Sequence, residues 1–325
     1  MMLSLKVPLR DAERARRALV DSSLLDRDYV VDKDKQHIFF PLTREPPANF
    51  MESSWSVVEH PHNKLAGSEC RGLKFPAMDI VGTIAIIEGS EEEARKIAPL
   101  IVKCIPSVET VLRKAGPMEG QFRTRKFFHV FGKETMETVY KENGVRISLD
   151  VSKTYFSPRL STERARIAAL VRKGENVAVL FGGVAPFALV IAKKCPSCNI
   201  ISVELNEDAH SYAVKNIELN KFTNVKALHM DVKELKRADK YKGWADRIIM
   251  PLPKDVVSFL DVAAYMARPG ATLHIYIFAS SPKEALSLLA TKLDELNVGW
   301  EHMGTRECGN YSPTTSRYVV DIKLL

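Results

Sequence analysis

From residue 151 onward, apolar runs of strand length alternate with helical periods, and this alternation leaves few folds open to the chain. NVAVLF (176–181), NIISVE (199–204), NVKALHM (224–230), RIIMPLP (247–253) and TLHIYIFA (272–279) read as strands. Helical stretches occupy 208–220, 255–266 and 282–296, and two strand candidates, GWEHMGTRE and SRYVVDIKLL, close the chain. Strands that alternate with helices predict a parallel sheet with helices on both faces. In such a sheet ligands bind outside the carboxyl ends of the strands, where the strand order switches.

Four candidate groups fall at those ends. Gly182 and Gly183 follow the first strand, Glu204 ends the second, Asp231 follows the third and MPLP, with Pro251, follows the fourth. A glycine turn between strand and helix lets backbone amides approach a nucleotide-like ligand, and the helix N-terminus behind it favours negative charge. A carboxylate ending the second strand suits the two hydroxyls of a ribose, and one after the third suits an adenine amino group. The turn FGGVAP lacks the G-x-G-x-x-G phosphate fingerprint, which favours S-adenosyl-L-methionine over a dinucleotide. The turn sits inside a longer stretch, 153–194, that reads as a basic aromatic loop, a helix, the buried strand and a second helix opening on Pro186.

Upstream the patterning changes. LSLKVPL (3–9) alternates like a strand, 11–25 has a helical period with Asp11 suited to the N-cap, 29–42 reads as a hairpin and 54–60 as another strand. The polar run HPHNKLAGSE (60–69) reads as a linker. A second unit follows, with a strand at 79–89 and a helix at 90–105 whose Ser90 and Glu93 have capping-box spacing. Further strands follow at 108–116 and 122–133, and a hairpin turns at Glu142–Gly144. In the strand at 122–133 arginines interleave with phenylalanines; either its outer face is merely basic, or it delivers Arg123 to a site shared with the last domain. The chain therefore reads as three α/β parts, 1–64, 65–150 and 151–325.

Forty-seven Lys and Arg against forty Asp and Glu give a formal charge of +7, which permits an anionic partner such as nucleic acid without establishing one. No apolar run is long enough to cross a bilayer, and residues 1–10 lack the core of a signal peptide, so a cytoplasmic, monomeric protein with no membrane contact is expected. The cysteines, at 70, 104, 195, 198 and 308, are odd in number and mostly scattered, which argues against a secreted disulfide framework. Cys195 and Cys198 form a CPSC pair with no second pair to complete a zinc site, so no metal is expected; packing or a local disulfide explains them.

SKTYFSPRLSTERARIA, FGGVAPF, KENG and RIIMPLPK resemble the archaeal and eukaryotic tRNA (guanine-37, N1)-methyltransferases, a class I (Rossmann-like) family with wyosine-pathway relatives. The N-terminal LSLKVPLRDAERARRALVDSSLLDRDYVV resembles the small first domain of the archaeal members, so the likeness spans the chain. The resemblance implies that Glu163 is the general base that removes the guanine N1 proton and that Arg123 stabilises the developing O6 anion. Without it, Glu163 reads as a first-turn carboxylate favouring a helix dipole. The expected cofactor wall comprises Phe181, Gly182, Gly183, Val184 and Ala185 of the turn, Glu204, Leu205, Asp231, Val232 and Pro251. The expected tRNA contacts are Arg123, Arg125, Tyr155, Phe156 and Arg159.

Three positions depart from the family pattern. Pro251 stands at a catalytic position where the N1-specific members open an Asn-Leu-Pro or Asn-Pro-Pro motif with Asn, and proline offers neither an amide nor a backbone donor. Val179 replaces an acidic residue, and Ala185 replaces the second glycine of the usual F-A-G-V-G-P turn. The proline resembles the archaeal branch linked to wyosine synthesis, which implies possible methylation of C7 of 4-demethylwyosine as well as N1 of guanosine 37. The alternatives are transfer of an aminocarboxypropyl group from the same cofactor, or tRNA binding without catalysis.

Overall fold

The computed structural model describes residues 1–64, 70, 73–118 and 120–325. Packing divides it into two compact units, Met1–Phe75 with Lys103–Ile105, and Pro76–Val102 with Pro106–Leu325. In the first unit, strand β1 (Met2–Pro8), helix α1 (Ala12–Asp21) and strands β2 (Asp32–Lys33), β3 (His37–Pro41) and β4 (Ser56–His60) form an antiparallel sheet of order β2-β3-β1-β4. Leu5 and Val7 alternate inward from β1 and meet Ala15 and Leu19, one helical turn apart on α1, with Phe40 and Trp55 completing this core. The hairpin at 29–42 is thus present. Residues 65–69 of the expected linker lie outside the described residues.

The second unit begins with β5 (Met78–Val81) and β6 (Ile84–Ile87), helix α2 (Glu91–Cys104), β7 (Thr110–Lys114) and β8 (Phe127–Gly132), in a sheet of order β5-β6-β7-β8. The single strand expected over 79–89 is an antiparallel hairpin, because Gly82 at φ +58° reverses the chain. A side chain at Gly82 would come within 2.2 Å of Thr138 Oγ1, so the turn also depends on the absence of a Cβ. The capping box forms as spaced: the Glu93 amide donates to Ser90 Oγ at 3.2 Å, and the Ser90 amide donates to Glu93 Oε2 at 3.0 Å. The strand expected over 122–133 starts only at Phe127. Residues 120–123 form a turn in which Arg123 takes φ +53°, so a turn, not a strand, presents that arginine.

Strands β9 (Glu137–Glu142) and β10 (Val145–Asp150) pair across Asn143 and Gly144, both at positive φ, as an Asn-Gly turn requires. Helix α3 (Ser161–Leu170) follows, and the KENG and STERAR motifs meet: Arg164 donates to Glu142 at 2.5 and 2.6 Å, both side chains buried, while Asn143 Nδ2 donates to the Ser161 carbonyl at 3.1 Å.

The remaining elements are β11 (Asn176–Leu180), α4 (Pro186–Lys194), β12 (Asn199–Glu204), α5 (Glu207–Leu219), β13 (Val225–His229), β14 (Ala245–Met250), α6 (Leu260–Met266), β15 (Ala267–Ala279), α7 (Pro282–Glu295), β16 (Trp300–Ser312) and β17 (Thr315–Leu324). They build a seven-stranded sheet of order β13-β12-β11-β14-β15-β17-β16, parallel from β13 to β15 with an antiparallel edge. The chain winds outward from β11 to β13, then returns to β14 on the other side of β11. The switch point therefore lies at the carboxyl ends of β11 and β14.

One buried cluster, including Phe187, Ile191 and Ile200, underlies α3, α4 and α5; the other, including Leu260, Leu273 and Leu289, underlies α6 and α7. Cys195 and Cys198 are joined in a disulfide between α4 and β12. Cys70 and Cys104, read as scattered, are also bridged, their Cα atoms 5.4 Å apart. Cys308 is a free thiol. No helix among the described residues is long and apolar enough to cross a membrane.

Candidate active site

The switch point is built by a strained turn. After β11, Phe181 adopts φ +59°, Gly183 +56° and Ala185 +68°, so the chain passes through the left-handed region three times within five residues. Only Gly183 does so without a Cβ penalty. At Gly182 a side chain would meet Ser202 Oγ at 2.1 Å, so β12 presses directly on the turn. Pro186 then starts α4 at a position where the missing N–H costs nothing.

The turn is tied to β12 by Glu204. Its Oε2 accepts from the Gly183 amide at 2.7 Å and its Oε1 from the Asn206 amide at 2.8 Å. Burial pushes this carboxyl above its ordinary range, opposed by those backbone donors. The donors are neutral backbone amides, Leu205 adding to them, and they leave lone pairs for hydroxyl donors.

Glu204 opens on a cavity of about 210 Å³. Phe181, Gly183, Leu205, Asp231, Val232 and Pro251, all expected at the cofactor, share its wall. Gly182 lines only a smaller neighbouring cavity, and Val184 and Ala185 are fully buried. Seven further wall residues have no counterpart in the sequence reading, Asn206, Lys233 and Phe259 among them. Asn206 was legible as an N-cap, since its side chain accepts from the Asp208 and Ala209 amides at the start of α5. Phe259 was not: it meets Phe181 edge-on at 4.8 Å only because the sheet brings the ends of β11 and β14 together.

The donor set fits an adenosine-containing cofactor. A half-buried carboxylate with open lone pairs suits a ribose diol, and the Phe181–Phe259 pair with Val232 offers an apolar slot with Asp231 at its edge. The acidic residue usual in the first strand is Val179 here, buried in the sheet.

Arg123 and Tyr155 form part of this wall and also line a second, larger cleft of about 680 Å³. The Arg123 guanidinium lies 4.8 Å from the centre of the Tyr155 ring. Arg125 and Arg159 line the cleft too. Arg159 is paired with Asp79 at 2.8 Å, and Phe156 packs on Tyr140 and under the buried Arg164, so both have structural duties.

Glu163 lines none of these cavities. Tyr276 donates its hydroxyl to Oε1 at 2.7 Å, and Arg166 grips both oxygens at 2.8 and 2.9 Å. Arg166 also reaches Asp321, at 2.8 Å, and Asp321 accepts from His274 Nδ1 at 2.7 Å. His274 Nε2 faces Arg247, which can only donate, so the ring is neutral with its proton on Nδ1. Burial lowers the His274 pKa accordingly. Glu163 stands one layer behind the cleft wall: burial first and then its charge push the Cys308 thiol, a cleft residue, up to about 12.

Residues 138–298 match the TRM5/TYW2 methyltransferase domain, and residues 4–50 match the tRNA methyltransferase 5 N-terminal domain. The tRNA (guanine(37)-N(1))-methyltransferase Trm5b of Pyrococcus abyssi is 34% identical over 340 residues, covering 100% of this chain and 99% of the relative. This chain belongs to the TRM5/TYW2 methyltransferase family. The tRNA (guanine(37)-N(1))/4-demethylwyosine(37)-methyltransferase Taw22 of Nanoarchaeum equitans is 33% identical over 251 residues, covering 62% of this chain and 83% of that one. A solved complex of aTrm5 with tRNALeu superposes with a TM-score of 0.83 at 27% identity, covering 99% of this chain and 100% of that one. The TRM5/TYW2 chain described here is accordingly a class I methyltransferase that uses S-adenosyl-L-methionine.

Proposed function

We propose that this chain transfers a methyl group from S-adenosyl-L-methionine to N1 of guanosine 37 in tRNA, acting as a monomer in the cytoplasm. The observation that carries this reading is the shared wall: Arg123 and Tyr155 face both the cofactor cavity and the cationic cleft. A base entering the cleft would meet the cofactor there. The bound cofactor supplies an electrophilic methyl on a sulfonium. The protein supplies orientation, a charge for the oxyanion and a proton acceptor. Position 37 lies in a loop, where a base is splayed out with less unstacking than in a duplex.

Arg123 is placed for the O6 anion. It has no carboxylate partner among the described residues, and its guanidinium borders the cofactor cavity. Glu163 is the proton acceptor, and its geometry selects the atom. Oε1 already takes two donors, from Tyr276 and Arg166, whereas Oε2 takes only Arg166 Nε. The open lone pair on Oε2 receives the N1 proton once the side chain turns toward the cleft. Residues 1–64 and 65–150 grip the tRNA, with 65–150 also supplying Arg123 to the active site, and residues 151–325 form the catalytic domain.

Pro251 favours a second substrate. It lines the cofactor cavity and the smaller one beside it, where it removes an amide that would read the guanine edge. The room it leaves suits the larger tricyclic 4-demethylwyosine, methylated at C7. Mass analysis of nucleosides tests both activities, after incubation with cofactor and tRNA bearing either base at position 37. Methylated guanosine with S-adenosylhomocysteine is expected; methylthioadenosine would instead identify aminocarboxypropyl transfer, and no product would leave a binding protein. Pro251→Asn should narrow the range to guanosine, and an unchanged product profile rejects the role given to Pro251.

A further inference from the structure

The strands β16 and β17 lie beyond residue 298, past the part of the chain that matches the family's catalytic domain. Their hairpin nevertheless reaches the cationic cleft, lining it with Cys308, Gly309, Asn310, Tyr311 and Arg317. The pairing of β16 with β17 slips between Glu307 and Asn310 and again between Asn310 and Ser312. Such bulges re-aim side chains, and here Tyr311 packs on Phe278 with ring centres 4.1 Å apart and the planes tilted by 30°, while 62% exposed.

Arg317 stands beside this aromatic pair, its guanidinium 5.6 Å from the Phe278 ring centre. Its Nη2 donates to the Tyr155 hydroxyl at 3.1 Å, but its Nε is buried without an acceptor, and so is Nε of Arg125 in the same cleft. A buried donor left unpaired is costly, and an arriving acceptor recovers that cost. The acids of the cleft are already taken: Asp79 by Arg159, and Glu88 by Lys114 at 2.5 Å. Among the described residues no carboxylate pairs with Arg123, Arg125 or Arg317. Three guanidinium groups with no salt-bridge partner among the described residues line one cleft, with an exposed aromatic at its rim.

We infer that the C-terminal hairpin is a nucleotide-docking platform, with Tyr311 stacking an RNA base beside the target and Arg317 holding a phosphate of the same strand. Stacked aromatics and unpaired guanidinium groups are what a single-stranded loop offers partners to. This rests on the RNA substrate proposed above and adds residues that reading does not require.

The test measures affinity for a tRNA transcript over a range of salt concentrations, with cofactor affinity and melting temperature as controls. Tyr311→Leu keeps an apolar cover on Phe278 but removes the ring; it should weaken RNA binding about tenfold and leave cofactor affinity and melting unchanged. Arg317→Gln should weaken binding and flatten the slope of log K against log salt by about 0.7, the loss of one single-strand phosphate contact. Wild-type affinity and slope in both variants would overturn the platform while leaving the methyltransferase reading intact. Lowered melting in Tyr311→Leu with unchanged affinity would also overturn it, making the ring a mere cover for Phe278. A wild-type protein that neither binds nor methylates tRNA would instead sink the substrate assignment itself.

Discussion

Two half-buried carboxylates, Glu204 and Glu163, sit on the same domain and are held in opposite ways. Glu204 is fixed by neutral backbone amides and faces a cavity; Glu163 is gripped by a charged guanidinium and a tyrosine hydroxyl and faces none. A carboxylate held by backbone donors cannot shift without breaking the turn, but it keeps lone pairs for a ligand. One held by side chains is already neutralised, and it changes partner by rotating a few torsions. The first arrangement suits binding, the second suits a proton acceptor that stays covered until a substrate arrives.

The sharpest way to break this contrast is to remove each carboxylate in turn. Glu163→Gln should lower single-turnover methyl transfer by about a hundredfold to ten-thousandfold while cofactor affinity stays near wild type. A rate within a few-fold of wild type would mean that Glu163 is only a structural partner of Arg166. Glu204→Ala should do the reverse, weakening cofactor binding by roughly tenfold to a hundredfold, the worth of hydrogen bonds to a charged group. Calorimetric titration with cofactor reads this directly, and turnover at saturating cofactor should be largely retained.

The two regions also differ in how far the sequence discloses them. Glu204 was legible because its position is local: the end of an apolar run, one strand after a glycine turn. The restraint on Glu163 was not. Arg166 is three residues away on the same helix, but Tyr276 comes from 113 residues downstream, and Asp321 lies 155 residues beyond Arg166. Sheet order alone makes β15 and β17 neighbours, and no periodicity encodes that order. Arg123 lines the cleft from a turn and not from the strand that the sequence predicts, because a left-handed arginine leaves no mark in a basic, aromatic sequence. Cys70 and Cys104 were misread for the same reason, since the proximity of their Cα atoms is a tertiary fact.

Acid should separate the regions by sign. Behind Glu163, burial depresses the His274 pKa, so its contribution to stability is complete above about 6.5 and falls away below it, as the unfolded ring takes a proton the folded one refuses. Asp321 adds to this at lower pH. Burial would raise its pKa, yet His274 and Arg166 hold it at about 2, so its contribution is present above the unfolded value and is lost as pH falls toward 2. Glu204 has the opposite sign: its raised pKa means that protonation relieves a desolvation cost, and acidification favours its folded form. Urea unfolding from pH 8 to 5 should therefore show declining stability, at no more than about 1.4 kcal/mol per pH unit for each titrating group. In His274→Gln the decline between pH 7 and 5 should flatten. A slope equal to wild type would show that His274 is not the group responsible.

The smallest effect expected concerns the glycine turn at the Glu204 end. Ala185 holds φ +68° where the family pattern has glycine, and an L-residue in that region carries a penalty of about 1–2 kcal/mol. Ala185→Gly removes the penalty but gives the unfolded chain more freedom, which offsets about 0.4–1 kcal/mol of the gain. The net should be a stabilisation of roughly 0.5 kcal/mol, read as a rise in the urea midpoint without a change in slope. Because Ala185 is buried and lies off the cavity wall, cofactor affinity should not move with it. Joint movement of stability and affinity would show that the turn's strain is coupled to the cofactor pocket, and the region around Glu204 would then be less rigid than its backbone hydrogen bonds imply.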